Sequence, residues 1–322
     1  SEEQSVYLLS HKDARRQRAW EKLCQQQLKK LGYHHIELVG KGAYGFAFAG
    51  VAGDEAAHAQ TGQSFVFKFS RITLPEQVQD RLEDEGYMQS LFRHPHIPQY
   101  REFQRVGRQR ILVMDRAPGM DLDKYLLRYG SLTPKQVIQI AQQLASLLKV
   151  LRNHQDGDSA KPVVHGDIKP SNVVYDPKTE QVSLIDWGSS VFAQVDERGQ
   201  HLGNSVMDLM SQDMHHTNAR LGDVYFIGPD QLNGELSSPR FDEQGVAATL
   251  YAIAANMPCR YGCGVLPAAS LGLPQEFARI LDNLLADEPQ LRSQAGDYFL
   301  QHMPRLSRLV MPDLPGSIEH AE

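Results

Sequence analysis

The chain has 322 residues, 41% hydrophobic and 22% charged, an ordinary globular composition that excludes a disordered or collagen-like chain. Its 33 basic residues against 39 acidic ones leave a net charge of −6. That balance argues against a general nucleic-acid binder, whose affinity comes from phosphate neutralisation.

At roughly 150 residues per domain the length predicts two structural units. Cys24, Cys259 and Cys263 are too few and too unevenly spaced for a disulfide framework, so a reducing compartment is expected. Cys259 and Cys263 form a Cys-x3-Cys pair, but no second pair follows at zinc spacing and no metal is read from it. No signal peptide is read at the start of the sequence, and Ser1 in place of Met is expected to mark either a trimmed start or an artificial boundary. The longest apolar run, Gly245 to Cys259, is too short to span a bilayer. The expectation is a soluble, cytoplasmic chain, or one in a host cytosol if it is delivered there.

In chain order, Trp20, Leu23, Cys24, Leu28 and Leu31 recur at helical spacing among basic residues, which predicts a helix within 1–35 that packs on the main domain. A membrane-surface or partner helix is the sharper alternative, weakened by Glu21 and a short apolar stripe. Short β-favouring runs follow at Ile36 to Val39, Gly45 to Val51, Ser64 to Ser70 and Arg110 to Met114. A helical segment, Glu76 to Arg93, sits among them. Beyond Pro118 helices dominate, at Thr133 to Arg152, Asp242 to Asn256 and Gln275 to Ala286. Strands recur only near Val163–His165, Val173–Tyr175 and Val182–Ile185. This order predicts an α+β fold of two lobes, a small β-rich one and a larger helical one, with a cleft between.

Gly40-Lys41-Gly42-Ala43-Tyr44-Gly45 lies between two strands rather than a strand and a helix, which disfavours a dinucleotide fold. A glycine-rich hairpin lets backbone close over phosphates, although alone the motif reads first as an ordinary glycine-rich turn. Lys68 ends the apolar strand Phe65-Val66-Phe67, where an amine needs a partner. Glu85 on the next helix can supply it. Further on come Val164-His165-Gly166-Asp167-Ile168-Lys169-Pro170-Ser171-Asn172 and Ile185-Asp186-Trp187-Gly188. The second carboxylate thus falls 19 residues after the first.

This ordered set resembles the eukaryotic-type (Hanks-type) Ser/Thr protein kinase domain, from about Ile36 to about Leu306. The resemblance implies 1–35 as an N-terminal helical extension, 36–117 as N-lobe and hinge, 118–308 as C-lobe and 309–322 as a tail. It implies ATP and Mg2+ as cofactors, and a protein substrate that the sequence does not name. By resemblance, Gly40, Gly42 and Gly45 cover the phosphates, which Lys68, held by Glu85, grips. Met114 is then the gatekeeper, the backbone of Asp115 and Ala117 holds adenine, and Asp121 contacts ribose. Asn172 and Asp186 hold Mg2+, Asp167 takes the acceptor proton, and Lys169 neutralises charge on the moving phosphoryl group. Gly228-Pro229-Asp230 closes the activation segment, and Arg292 is the expected ion partner of Asp230.

Four departures stand out: Gly166 before the catalytic Asp, Trp187 for the usual Phe, Asp223 for a bridging threonine, and Gln89 four residues after Glu85. The last leaves Glu83 or Asp84 open as partner for Lys68. His-Gly-Asp also occurs in small-molecule phosphotransferases of the aminoglycoside and choline kinase type, the first alternative. A non-catalytic scaffold and a nucleotidyl transferase on the same fold are the others. The 45 residues from Asp186 to Asp230 suggest a segment used for docking or self-inhibition, with a helix-like patch at Ser205 to Met214.

Overall fold

The computed structural model describes residues 11–42, 45–53, 63–203, 223–257 and 266–306. Ser205 to Met214, Cys259 and Cys263 lie outside the described residues. Residues group into two units, Ser1–Arg93 with Pro98–Arg116, and His94–Ile97 with Ala117–Glu322.

The first unit opens with α1 (His11–Lys30), followed by β1 (Tyr33–Lys41), β2 (Gly45–Ala52), β3 (Ser64–Ser70), α2 (Glu76–Ser90), β4 (Tyr100–Val106) and β5 (Gln109–Asp115). The strands form one antiparallel sheet in the order β1-β2-β3-β5-β4. Strand alternation decides what each face carries. Phe46, Phe48, Phe67, Phe69, Ile111 and Val113 share a buried cluster with Trp20, Cys24 and Leu28 of α1. The α1 residues are four apart, so one helix face closes over the aromatic side of the sheet. The Trp20 and Phe46 rings lie 4.4 Å apart. Lys68, between Phe67 and Phe69, points the other way, toward α2, which packs on β4 and β5.

β4 is absent from the strands the sequence predicts. It is an edge strand with a half-exposed burial pattern, and Arg101, Glu102, Gln104 and Arg105 mask its alternation. β1 also begins at Tyr33 rather than Ile36, because Tyr33 and His34 already pair with Ala52 and Val51.

The second unit contains β6 (Met120–Asp121), α3 (Leu122–Tyr129), α4 (Pro134–Arg152), the ribbon β7 (Gln155–Asp156) and β8 (Ser159–Ala160), and β9 (Val163–Val164). Then come β10 (Val173–Asp176), β11 (Gln181–Leu184), β12 (Val191–Phe192), α5 (Pro229–Leu232), α6 (Arg240–Ala255), α7 (Gln275–Leu284) and α8 (Pro289–Leu306). A capping box between Thr133 and Gln136, with Pro134 at the first turn, starts α4. Residues Phe241 to Ile253 of α6 are buried; from Gly245 on the sequence is nearly all apolar, and α4, α7 and α8 pack around the helix. Glu243, buried on α6, is neutralised by Arg152 and Arg240, which also reach Asp297. Arg292 holds Asp230 at 3.1 Å. Among the described residues no helix is long and apolar enough to cross a membrane. A small β-rich unit followed by a helical one is the predicted α+β architecture.

Candidate active site

In the first unit, β1 and β2 meet at the glycine-rich turn. The Gly42 N–H donates to the Gly45 carbonyl at 3.0 Å. Gly45 faces Ser70 across the ladder, and a Cβ there would run into the Phe69 carbonyl, so this position requires glycine. Gly40 lies within β1, and Ala43 and Tyr44 fall outside the described residues. The Lys68 ammonium donates to Glu85 Oε1, with the carboxylate only 7% exposed. Glu83 is taken by Arg105, so Glu85 is the helix carboxylate paired with the strand lysine. Gln89 does not fill an apolar slot. It is buried, donates to the Pro98 carbonyl at 2.6 Å and lies 3.6 Å from Met114 Sδ. The Asp115 N–H donates to the Gln99 carbonyl at 2.9 Å, and its carboxylate takes Arg101 in a two-bond fork.

In the second unit the loop from His165 to Asn172 is fixed from several sides. The N–H groups of His165 and Gly166 donate to the two Asp242 oxygens at 2.7 and 2.9 Å. Burial pushes the Asp242 carboxyl up to about 7, against the pull of those two bonds. Gly166 holds φ at +82°, in the left-handed region that favours glycine. Its carbonyl accepts from the Gln231 side chain at 2.7 Å. Sequence reading missed Gln231; its place directly after Gly228-Pro229-Asp230 is the only signal of it. His165 Nδ1 accepts from the Asp167 N–H at 3.2 Å, and Nε2 meets the Ile185 carbonyl at 3.1 Å. Both bonds together select the Nε2–H tautomer.

Asp167 has donors on both oxygens. The Asn172 amide reaches Oδ2 at 3.2 Å and the backbone carbonyl at 2.9 Å, while the Asp223 N–H reaches Oδ1 at 3.1 Å. Lys169 stands 3.7 Å from Asp167 and 3.4 Å from Asp223. Burial raises the Asp167 carboxyl to about 6; Lys169 and the Asp223 N–H oppose the rise, and the Asp186 and Asp223 charges add to it. Burial disfavours charge on Lys169, yet the carboxylates around it hold its ammonium above the usual lysine value. Asp186 sits at φ +60°, an uncommon conformation for a non-glycine residue and one that clusters at functional sites. Trp187 is buried, donates to the Leu184 carbonyl at 3.1 Å and meets His165 edge-on at 5.0 Å. Asp121 caps α3 by accepting from the Lys124 N–H at 2.9 Å, and Ala117 opens the second unit's main stretch.

The donor set suits Mg2+. Both Asn172 bonds to Asp167 use its amide nitrogen, leaving its side-chain carbonyl, a hard oxygen, outside those two bonds; the Asp186 carboxylate offers a second oxygen donor in the same unit. No group of three or more His, Cys, Asp or Glu among the described residues is arranged to hold a metal. Two protein oxygens completed by phosphate and water is a habit of Mg2+, not of zinc.

A family model described as Protein kinase domain matches residues 33–302. Serine/threonine-protein kinase PknH of Mycobacterium tuberculosis (strain H37Rv) is 25% identical over 292 residues, covering 85% of this chain and 42% of that protein. Serine/threonine-protein kinase PrkC of Bacillus subtilis (strain 168) is 26% identical over 171 residues, covering 53% of this chain and 23% of that protein. The chain thus spans less than half the length of these relatives. With a match over most of its length, the chain belongs to the protein kinase domain family.

Proposed function

We propose that this chain is an ATP- and Mg2+-dependent serine/threonine-type protein kinase that also phosphorylates itself. The observation that carries the reading is the Asp167 carboxylate, held through both oxygens by Asn172 and Asp223 beside Lys169. A carboxylate fixed in this way orients a hydroxyl and takes its proton. Lys169 neutralises charge that develops next to it. In the first unit Glu85 holds the Lys68 ammonium in place to grip phosphates, under the backbone of Gly40, Gly42 and Gly45. Met114, with the backbone of Asp115 and Ala117, takes the base, Asp121 the ribose, and Asp186 and Asn172 the metal. Bound Mg-ATP supplies the transferable phosphoryl group and neutralises the charge on it. The names of PknH and PrkC favour serine/threonine acceptors over small molecules.

Incubation with labelled ATP and Mg2+, with lysate proteins and small-molecule acceptors in parallel, tests this reading. Mass spectrometry of the products then identifies the group transferred and the acceptor. Asp186→Asn should abolish transfer by loss of a metal oxygen, and Lys68→Met should do much the same by loss of phosphate positioning. Full activity of both variants, in a preparation free of contaminating kinase, overturns the assignment.

A further inference from the structure

Asp223 joins the far end of the long segment to the catalytic loop with two separate arms. Its backbone N–H donates to Asp167 Oδ1 at 3.1 Å, and its side chain takes Lys169 through Oδ2 at 3.4 Å. Its other oxygen accepts from the Tyr225 N–H at 3.0 Å, which fixes the turn that follows. A threonine hydroxyl could make a contact of this kind without charge. The carboxylate changes the electrostatic sum. Asp167 and Asp186 already lie within Coulomb reach of Lys169, and a bound Mg2+ takes up the Asp186 charge. That leaves Asp167 and Asp223 against the single ammonium of Lys169, one negative charge in excess, where an uncharged residue would leave the pair balanced. Asp223 is only 28% exposed at its side chain and Asp167 13%, so water screens this excess incompletely.

We propose that Asp223 makes the acceptor side of this site charge-selective, favouring hydroxyls with neutral or basic neighbours and rejecting those flanked by acidic residues. The inference rests on the reading of Asp167 as the residue that receives the acceptor. Asp223 acts here as a specificity residue. It draws cationic flanks toward the proton acceptor and repels anionic ones, while the nucleotide-holding residues of the first unit are untouched.

The test uses three peptides that share one serine and differ only in its two neighbours, which are Glu, Ala or Lys. With Mg-ATP saturating, the wild-type kcat/KM should be about tenfold lower for the Glu peptide than for the Ala peptide, as expected of a like-charge contact in partly screened surroundings. Raising salt from about 0.05 M to about 0.5 M should narrow that gap, because the screening length falls from about 14 Å to about 4 Å. Asp223→Asn keeps the backbone arm and an oxygen for Tyr225 but removes the charge; its gap should shrink to about threefold or less, with KM for ATP within about twofold of wild type. Asp223→Thr, the uncharged alternative, should behave like the Asn variant.

A wild-type enzyme that phosphorylates the Glu peptide as well as the Ala peptide overturns the inference. So does a gap that survives high salt, or one that persists in both variants. Transfer to no peptide and no protein, despite nucleotide binding, overturns the kinase reading and this inference with it. That outcome differs from indiscriminate transfer, which defeats the inference alone.

Discussion

Trp20 offers a quantitative check on whether α1 is part of the core or an appendage. Its indole ring packs 4.4 Å from Phe46, yet its Nε1 is buried with no hydrogen-bond partner among the described residues. Trp20→Ala removes the ring and leaves a cavity under the sheet, so it should cost about 3–5 kcal/mol. Trp20→Phe has two opposing effects. The smaller ring gives up about 1 kcal/mol of burial, while removing an unsatisfied donor returns roughly 1–3 kcal/mol. The Phe variant should therefore lie within about 1 kcal/mol of wild type or above it. Urea unfolding followed by far-ultraviolet circular dichroism measures both, with the midpoint compared at constant slope. Because Phe46 directly follows Gly45, the Ala variant should also bind nucleotide more weakly. Equal losses in the two variants would refute the account of the buried N–H. A loss below about 1 kcal/mol for Trp20→Ala would show that α1 is not part of the core.

Two further outcomes follow from the catalytic loop. The Asp167 carboxyl is raised to about 6; in the proposed role of proton acceptor it works only when ionised, so kcat/KM for the acceptor should fall as pH drops through about 6. An acid limb near the ordinary aspartate value of about 4 would contradict this. Gly166 offers no side chain to receive a segment phosphate, and at its φ of +82° a side chain costs about 1–2 kcal/mol. Phosphatase-treated enzyme should keep most of its initial rate, and Gly166→Arg should lower the denaturation midpoint without creating a need for phosphorylation. A lag that preincubation with ATP removes would contradict that expectation.

Much of this was legible because the chemistry sits in short, contiguous motifs. The apolar runs around Lys68 and Asp186 marked strands, and the His165–Asn172 loop carried its spacing intact. What escaped depends on partners distant in sequence. β4 hides behind alternating charge on an edge, and the eight-residue α3 carries too few turns for a period. The described apolar side chains that α8 buries are Ala295, Phe299, Leu300 and Met303, beside a buried Arg292 and many exposed polar residues. Gln89 could not be understood before Pro98 and Met114 were beside it. Gln231 gave no pattern either, since its partner carbonyl lies 65 positions away. Asp223 was visible as a departure, but its backbone arm to Asp167 was not.

Cys24 adds a chemical consequence. Its thiol is fully buried in the face of α1 that meets the sheet, and the Gln109 amide lies 3.8 Å from its sulfur. Burial pushes the thiol up to about 12, so almost none of it is thiolate at neutral pH, and only thiolate attacks an alkylating reagent. Reaction at Cys24 must therefore wait for α1 to lift from the sheet. The alkylation rate at this one sulfur, resolved by peptide mapping, is a clock for that opening, and it runs in the unmodified protein without a mutation or an added probe site.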